Sequence, residues 1–163
     1  KHMDYTTVRA VPYDMYVPGY HAKGVSKLRL WKAEMSTFDM QKFNDGNFMD
    51  ALGINSVSHV ISKVLYPNDN NMEGKSLRLR QQYFMCAASV GDITAKHLKA
   101  YGTLDNLADK VAIHVNDTHP TLAILELMRI LLDECGYSWD KSFEIVKNSR
   151  SCYYTTGRQG GIL

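Results

Sequence analysis

The chain has 163 residues, of which 45% are hydrophobic and 22% are charged, and its formal net charge at pH 7 is +2. This length predicts one domain with a sizeable core. The 19 basic and 17 acidic side chains are nearly balanced and scattered, which argues against a nucleic-acid or membrane surface. No apolar run approaches the ~18 residues of a membrane span, and no export leader is recognisable.

The cysteines indicate a reducing environment. Cys86, Cys135 and Cys152 are widely spaced and form no CxxC pair. Their spacing matches none of the common zinc motifs and favours free thiols over a disulfide framework. We therefore expect a cytoplasmic chain without a metal site.

The first half of the chain predicts a hairpin followed by a long helix. Val8–Val11 is typical of a short strand, which Pro12 stops, and a turn-rich stretch follows it. Apolar and basic residues alternate over 28–32, which predicts a second strand that pairs with the first. From Phe43 to Leu65 apolar residues recur at helical spacing, and Pro67 ends the predicted helix.

The second half predicts three helices and one buried strand. A helix from Gly74 to Leu98 precedes an apolar run, 111–115, that is typical of a buried parallel strand. A helix from Thr121 to Cys135 is apolar on almost every side. A last helix, 139–148, has Ser138 in the position of an N-terminal cap.

The strongest candidate for chemistry is Asn116–Pro120, with the sequence Asn-Asp-Thr-His-Pro, between the predicted strand and its helix. In open α/β sheets, ligands collect beyond the carboxyl ends of strands and beside helix N-termini. Asp117 and His119 are therefore suited to bind sugar hydroxyls or to transfer protons. A plainer interpretation also fits, in which Asp117 or Thr118 caps the helix and His119 lies in a surface loop.

A second candidate is the segment 66–70, with the sequence Tyr-Pro-Asn-Asp-Asn. Three consecutive amide or carboxylate side chains, Asn68 to Asn70, suit a hydroxyl-rich ligand, although a plain turn also explains them. Arg78 and Arg80 follow on the next helix. Either arginine pairs with Asp69, meets an anion or lies on a solvated helix face.

Together these motifs resemble the α-glucan phosphorylases, the family of glycogen, starch and maltodextrin phosphorylases. The resemblance covers about residues 8 to 146. The shared runs, in chain order, are Val-Pro-Tyr-Asp (11–14), Val-Pro-Gly-Tyr (17–20), Leu-Arg-Leu-Trp (28–31), Val-Leu-Tyr-Pro-Asn-Asp-Asn (64–70), Glu-Gly-Lys (73–75), Asp-Lys-Val-Ala-Ile (109–113) and Asn-Asp-Thr-His-Pro (116–120). The implied fold is α/β: a helix-rich piece of a Rossmann-like N-terminal lobe, of the two-lobed glycosyltransferase type, with few strands.

The resemblance implies a retaining phosphorolysis. Inorganic phosphate cleaves the terminal α-1,4-glucosyl unit of a glucan and releases α-glucose 1-phosphate. The family's cofactor is pyridoxal phosphate, whose own phosphate group serves in proton transfer. The lysine that binds it lies in a C-terminal lobe with no counterpart in this sequence. No cofactor-binding residue and no complete catalytic set is therefore expected here, and the isolated chain is expected to be inactive.

The resemblance also implies a gate loop over the active site. Asn68, Asp69 and Asn70 are similar to residues of that mobile loop, and Asp69 and Asn70 match positions beside the sugar and phosphate pocket. Arg78 is similar to a residue just behind the gate.

Further implied roles concern the glucan and a second copy of the chain. Asp117 and His119 resemble residues that line the neighbouring glucan subsite. Phe48–Leu65 is similar to a long helix that projects into a dimer interface, which implies a homo-oligomer. An alternative is a non-catalytic glucan-binding or assembly module that oligomerises through its apolar helices. An unrelated nucleotide-sugar glycosyltransferase is a third interpretation, for which no nucleotide-binding signature is present.

The resemblance divides the chain into three parts. Residues 1–7 are expected to be a cleavage remnant and lead-in, residues 8–148 a partial phosphorylase lobe, and residues 149–163 a divergent, disordered tail. Beyond Lys147 the family continues into a Tyr-Thr-Asn-His-Thr-Val segment, where this chain has Tyr-Tyr-Thr-Thr (153–156). This departure favours the hypothesis that the tail comes from a shifted reading frame or a truncated gene.

Overall fold

The fold is mixed α/β, with two two-stranded sheets and several helices. The chain divides into two compact units, residues 1–84 and residues 85–163. None of the helices in the described ranges has both the length and the apolar run that a membrane span requires. The computed structural model describes residues 7–21, 23–35, 40–51, 60–65 and 67–154.

The first unit begins with an antiparallel hairpin of strands β1 (Val8–Pro18) and β2 (Val25–Met35). The predicted hairpin is confirmed, but both strands are longer than the sequence pattern indicated. In particular, β1 continues through Pro12, which pairs with Trp31, so the predicted stop at this proline is wrong. Every second N–H of a two-stranded ribbon points away from the partner strand, and a proline at such a position removes no ladder hydrogen bond.

The register places alternate residues of each strand on opposite faces of the hairpin. On one face Asp14 lies opposite Arg29, whose Nε donates to Oδ1 of Asp14 at 2.7 Å and whose guanidinium lies 5.6 Å from the ring centre of Trp31. The Arg29 guanidinium lowers the pKa of Asp14 to about 2. The other face carries large apolar side chains that remain exposed: Tyr13, Met15, Val17, Leu28 and Leu30.

The helix predicted from Phe43 to Leu65 is interrupted near its start. Helix α1 (Met40–Asn44) ends at a turn, and helix α2 (Phe48–Ala51) begins after it. Gly46 lies in that turn with φ of 81°, a left-handed conformation that glycine adopts without steric cost. The apolar spacing persists across the turn, so periodicity alone could not reveal the break.

The later part of that predicted helix is described only in pieces. Residues 52–59 lie outside the described residues, and residues 60 and 61 are helical. Residues 62–65 form a turn and a bend, so the prediction of a helix as far as Pro67 is wrong there. The Ser62 hydroxyl accepts a hydrogen bond from the backbone N–H of Ala33 at 2.9 Å, which holds this turn against β2.

Helix α3 (Met72–Tyr101) confirms the helix predicted from Gly74 to Leu98, with a few more residues at each end. Gly102 closes it, with φ of 72° and its N–H donating to the Leu98 carbonyl at 2.8 Å. Residues 72–84 of α3 belong to the first unit, and residues 85–101 belong to the second.

The second unit contains a parallel pair of strands, β3 (Ile113–Asn116) and β4 (Arg150–Tyr154). The predicted parallel strand at 111–115 is therefore confirmed, although it begins two residues later. Its burial is less complete than the sequence suggested, because only Val115 is buried.

Strand β4 falls within the tail that was predicted to be disordered from Ser149, so that prediction is wrong for residues 150–154. The backbone N–H of Ile113 also donates to the Ser149 carbonyl at 2.8 Å, directly before β4. Backbone pairing with β3 requires no apolar periodicity, which is why the polar sequence of the tail concealed this strand. Residues 155–163 lie outside the described residues.

The core of the second unit lies between α3 and the helices that follow it. Those helices are α4 (Leu107–Lys110), α5 (Leu122–Arg129) and α6 (Trp139–Asn148). Side chains from these helices and from the segments that connect them form one hydrophobic cluster. Its most deeply buried members are Val90, Leu104, Leu107, Leu127 and Leu131.

The single helix predicted from Thr121 to Cys135 is α5 followed by a π-helical turn, Ile130–Glu134. Within this turn the Cys135 N–H donates to the Ile130 carbonyl, five residues earlier, at 3.0 Å. Gly136, with φ of 69°, then ends the segment as predicted. The wider turn leaves both Ile130 and Leu131 buried in the core.

The last helix confirms its prediction in both length and cap. Helix α6 covers Trp139–Asn148, and the Ser138 side chain accepts a hydrogen bond from the Lys141 N–H at 3.4 Å. Asp105 forms an ion pair with Lys141 at 2.7 Å, which links the segment before α4 to the first turn of α6.

The Asp14–Arg29 pair predicts a specific acid titration. Because the pKa of Asp14 is lowered from 3.8 to about 2, the stability that the pair adds to the hairpin is fully present above pH 3.8 and is lost as the pH falls through about 2. The side-chain carboxyl carbon of Asp14, followed by NMR, should titrate near pH 2. In an Arg29→Gln variant the midpoint should rise towards 3.8. Equal midpoints in the two proteins would contradict the assignment.

The buried cluster predicts contrasting effects for two leucines of α5. Leu127 is 2% exposed and Leu125 is 64% exposed. Leu127→Ala should lower the free energy of unfolding by about 2–5 kcal/mol, because it removes buried methyl groups and leaves a cavity. Leu125→Ala, the same change on the exposed side of the helix, should alter it by no more than about 0.5 kcal/mol. Urea unfolding of both variants measures the difference, and equal losses would contradict the placement of α5.

Candidate functional site

The candidate segment 66–70, of which the structure describes residues 67–70, leads through Asn71 into α3. The side chain of Asn71 caps this helix, because its Oδ1 accepts a hydrogen bond from the Gly74 N–H at 2.7 Å. The Asn68 Oδ1 accepts one from the Asn70 N–H at 2.9 Å, which forms an asparagine turn. The plain-turn interpretation is thus correct for the backbone. The side chains of residues 68–70 are exposed to solvent.

The structure brings Asp69 and Arg78 together. Nη1 of Arg78 donates to Oδ2 of Asp69. Of the three alternatives predicted for this arginine, the structure therefore shows the ion pair with Asp69. The Asp69 side chain is 48% exposed and the Arg78 side chain 28%, and pairs this accessible contribute only about 0–1 kcal/mol. The pair therefore matters more for the orientation of the loop than for the stability of the fold. Arg80 is exposed.

Two residues beside this loop were missed by the sequence predictions. Gln81 is buried, and its Nε2 donates to the Val64 carbonyl at 2.6 Å, which ties α3 to the segment before the loop. Gly74 is also buried, and a Cβ atom at this position would lie 2.9 Å from the carbonyl carbon of Asn68. The signal that could have identified Gly74 is its position, since a glycine in the first turn of a predicted helix often has a packing reason.

The strongest candidate segment, Asn116–Pro120, joins β3 to α5 in the second unit. Asp117 has φ of 62°, in the left-handed region that few residues other than glycine adopt. Its Oδ1 accepts a hydrogen bond from the Thr118 N–H at 2.7 Å. Asp117 follows the carboxyl end of a parallel strand, where ligands bind in open α/β sheets. Backbone conformations that carry an energetic cost of this kind cluster at functional sites.

The interpretation in which Asp117 or Thr118 caps α5 is wrong. The N-cap position is Thr121, and its side chain makes no capping hydrogen bond. The carbonyl of Thr118 instead accepts from the Thr121 N–H, at 3.3 Å, and from the Thr121 hydroxyl. Asp117 therefore lies before the helix, in the junction itself. His119 is half-buried in the same junction.

Cys86 supports this junction from α3. Its thiol donates to the carbonyl of Pro120 at 3.6 Å. Burial raises the pKa of this thiol, and the neighbouring Glu126 carboxylate acts in the same direction. Cys86 therefore remains protonated and acts as a structural donor rather than as a nucleophile.

The buried carboxylate of this unit is paired with an arginine on the same helix. The Glu126 carboxylate is buried, and it accepts hydrogen bonds from Arg129 at 2.8 and 3.0 Å. Glu126 and Glu134 both raise the pKa of Arg129. Across the part of the chain that the structure describes, no three His, Cys, Asp or Glu side chains converge as metal ligands would.

Comparison with known proteins gives consistent results. The sequence profile of the carbohydrate phosphorylase family matches residues 1–157. Glycogen phosphorylase of Haemophilus influenzae is 46% identical over 153 residues, which cover 92% of this chain and 19% of that protein. The brain form of human glycogen phosphorylase is 45% identical in an alignment 164 residues long, which covers 95% of this chain and 19% of that protein. Glycogen phosphorylase of Saccharomyces cerevisiae is 47% identical over 140 residues, which cover 85% of this chain and 16% of that protein.

The extent of these matches corrects both ends of the expected resemblance. The family match covers residues 1–157, so the predicted start near Val8 and the predicted end near Lys147 are both wrong. Strand β4 lies within the additional matched stretch after Lys147. The chain spans about a fifth of the length of the relatives that it matches.

The left-handed conformation of Asp117 predicts an order of stability among variants. Asp117→Asn should change the free energy of unfolding by less than about 0.5 kcal/mol, because asparagine tolerates this region. Asp117→Ala should lower it by about 1 kcal/mol, because alanine meets the full left-handed cost and the Thr118 N–H loses its acceptor. Asp109→Ala, an exposed position in α4, is the matched control. If urea unfolding gave the alanine and asparagine variants the same free energy of unfolding, the left-handed conformation of Asp117 would be contradicted.

Proposed function

This chain belongs to the carbohydrate phosphorylase family, and from that membership we propose that it is a piece of a pyridoxal-phosphate-dependent glucan phosphorylase. The intact enzyme transfers the terminal α-1,4-glucosyl unit of a glucan to inorganic phosphate and releases α-glucose 1-phosphate. One observation carries the proposal: the chain is 45–46% identical to glycogen phosphorylases over more than nine-tenths of its length.

The second unit is proposed to be part of a Rossmann-like N-terminal lobe. The parallel pairing of β3 with β4 supports this assignment, because the connection between them consists of α5, the π-helical turn and α6. A helical crossover between parallel strands is the repeating unit of such lobes.

Asp117 and His119 are proposed to bind the glucan. Both residues follow the carboxyl end of β3 and precede α5, the position where open α/β sheets bind their ligands. A carboxylate accepts hydrogen bonds from sugar hydroxyls, and an imidazole both accepts and donates them. The conformation of the junction supports this role, because the side chain of Asp117 is not used to cap α5.

Asp69 and Asn70 are proposed to face the sugar and phosphate pocket of the intact enzyme from a gate loop that includes Asn68, with Arg78 behind it. Two features of the first unit support this role. The side chains of Asn68, Asp69 and Asn70 are all exposed, and the Asp69 carboxylate is paired with Arg78. A pair this accessible exchanges readily with other charged or hydroxyl groups.

Pyridoxal phosphate is proposed to be held by other parts of the intact enzyme. When bound, its phosphate group supplies proton transfer. An imine cofactor requires a lysine in an enclosed pocket with a lowered pKa. Each lysine side chain in the described ranges is instead exposed. These residues do not fit the cofactor, so we propose that the isolated chain does not catalyse phosphorolysis.

A second candidate function is a non-catalytic glucan-binding or assembly module. The observation that favours it is a set of exposed apolar side chains within the segment Phe48–Leu65, which would be covered in a homo-oligomer. The exposed members are Phe48, Met49, Val60, Val64 and Leu65. For either function we propose a cytoplasmic location, which the free thiols of Cys86 and Cys135 support.

Calorimetric titration with maltoheptaose tests the glucan site. His119→Ala should weaken binding to the chain by at least about ten-fold, because hydrogen bonds to a sugar hydroxyl are lost. His114→Ala, an exposed histidine of β3, should leave the affinity unchanged and serves as the matched control. No binding to the unaltered chain, or equal losses in both variants, would contradict the assignment of His119.

Turnover and size measurements on the same samples separate the two functions. We expect no glucose 1-phosphate from maltoheptaose and phosphate, and no imine absorbance with pyridoxal phosphate, so the appearance of either would overturn the proposed inactivity. Binding together with a dimeric mass in sedimentation would favour the assembly module. A monomer that binds would favour a partial phosphorylase site.

A further inference from the structure

Gly74 lies where the first turn of α3 meets the loop before it. It is buried, and its N–H donates to Oδ1 of Asn71 at 2.7 Å. A Cβ atom at this position would lie 2.9 Å from the carbonyl carbon of Asn68 and 3.0 Å from Oδ1 of Asn71, and would overlap the carbonyl oxygen of Asn68 outright. The backbone of the loop therefore occupies the space of a side chain at residue 74.

This contact determines whether replacing the glycine with alanine stabilises or destabilises the structure. In an ordinary helix alanine is preferred to glycine, because glycine loses more backbone freedom on folding. Gly91 shows the ordinary case in the same helix, since a Cβ atom there would have no neighbour within 4 Å. At Gly74 the added methyl group meets backbone atoms rather than the end of a flexible side chain. The loop has to move away to accommodate it.

Two further contacts restrain the same loop. Oδ1 of Asn68 accepts a hydrogen bond from the Asn70 N–H at 2.9 Å, and Asp69 pairs with Arg78 on the next turn of α3. The Asn71 cap anchors the end of the loop to the helix. Each of residues 68–70 thus takes part in one of these contacts, while the three side chains remain exposed to solvent.

We propose that Gly74 and Asn71 are positioning residues. They hold the backbone of the loop against α3, and so orient Asp69 and Asn70 towards the glucan before it binds. The identity of the ligand rests on the proposed function, whereas the orientation of the loop rests on the contacts above. A side chain at residue 74, or the loss of the cap at residue 71, releases the loop without altering either ligand-facing side chain.

Amide hydrogen exchange of the full chain tests this proposal without any ligand. In Gly74→Ala the amides of residues 70 and 74 should exchange about ten-fold faster, because the turn and the cap that protect them are disturbed. Gly91→Ala carries the same substitution in the same helix and should leave both rates unchanged. Equal rates in Gly74→Ala and the unaltered chain would overturn the proposal. So would a uniform acceleration that includes residues 85–101, since the effect would then not be local.

A second pair of variants separates positioning from simple loss of folding. Asn71→Ala removes the cap acceptor and should accelerate exchange at the same two amides. Asn71→Asp retains an acceptor oxygen and should restore the original rates. A failure of aspartate to rescue would count against the proposed role of the cap.

Maltoheptaose added to each variant distinguishes this proposal from the proposed function. The sugar should slow exchange at residues 68–70 in the unaltered chain and in Asn71→Asp, and should do so much less in Gly74→Ala. If the ligand-free rates differ as expected but the sugar protects no variant, the loop is positioned as proposed and its glucan role is refuted. If the sugar protects Gly74→Ala as fully as the unaltered chain, the positioning role is refuted and the glucan role stands.

Discussion

The parallel pairing of β3 with β4 is the constraint on which the second unit depends. Parallel neighbours cannot be joined by a tight turn, so the chain between them must cross over, and it does so through α5, the π-helical turn and α6. That crossover supplies Leu127 and Leu131 to the core. It also leaves the segment Asn116–Pro120 at the carboxyl end of β3, so the same backbone hydrogen bonds organise both the core and the candidate glucan residues.

Much of this arrangement follows from local sequence signals. The helix from Met72 to Tyr101 was predictable because its apolar spacing is long and glycine closes it. Ser138 was predictable as a cap because a hydroxyl before an amphipathic run has few other roles. Both signals depend on neighbouring residues only, and local signals are the ones that a single sequence retains.

The features that escaped prediction depend on contacts between distant residues. Pro12 pairs with Trp31 inside β1, and a strand tolerates a proline only where no ladder hydrogen bond is required, which depends on register rather than on local sequence. Strand β4 exists because β3 is available to pair with it. The roles proposed for Asp69 and Asp117 came from resemblance to a family, since spacing alone allowed plain turns. The restriction at Gly74 depends on how closely the Asn68 carbonyl approaches it, which the local sequence does not determine.

The hairpin has a consequence for handling the chain outside a larger protein. Within the described residues, its two-stranded sheet leaves most of the outer hydrogen-bonding edge of each strand unpaired, although the Ala33 N–H of β2 donates to Ser62. One face presents Tyr13, Met15 and Leu30 to solvent. Exposed apolar strands with open edges are templates for intermolecular β-pairing. The charges of Asp14 and Arg29 on the opposite face oppose such growth, since charged side chains blunt sheet edges. Association between copies should be strongest near the isoelectric point of about 8.4, where the net repulsion is weakest, and weakest in strong acid, where the basic side chains are no longer balanced by carboxylates.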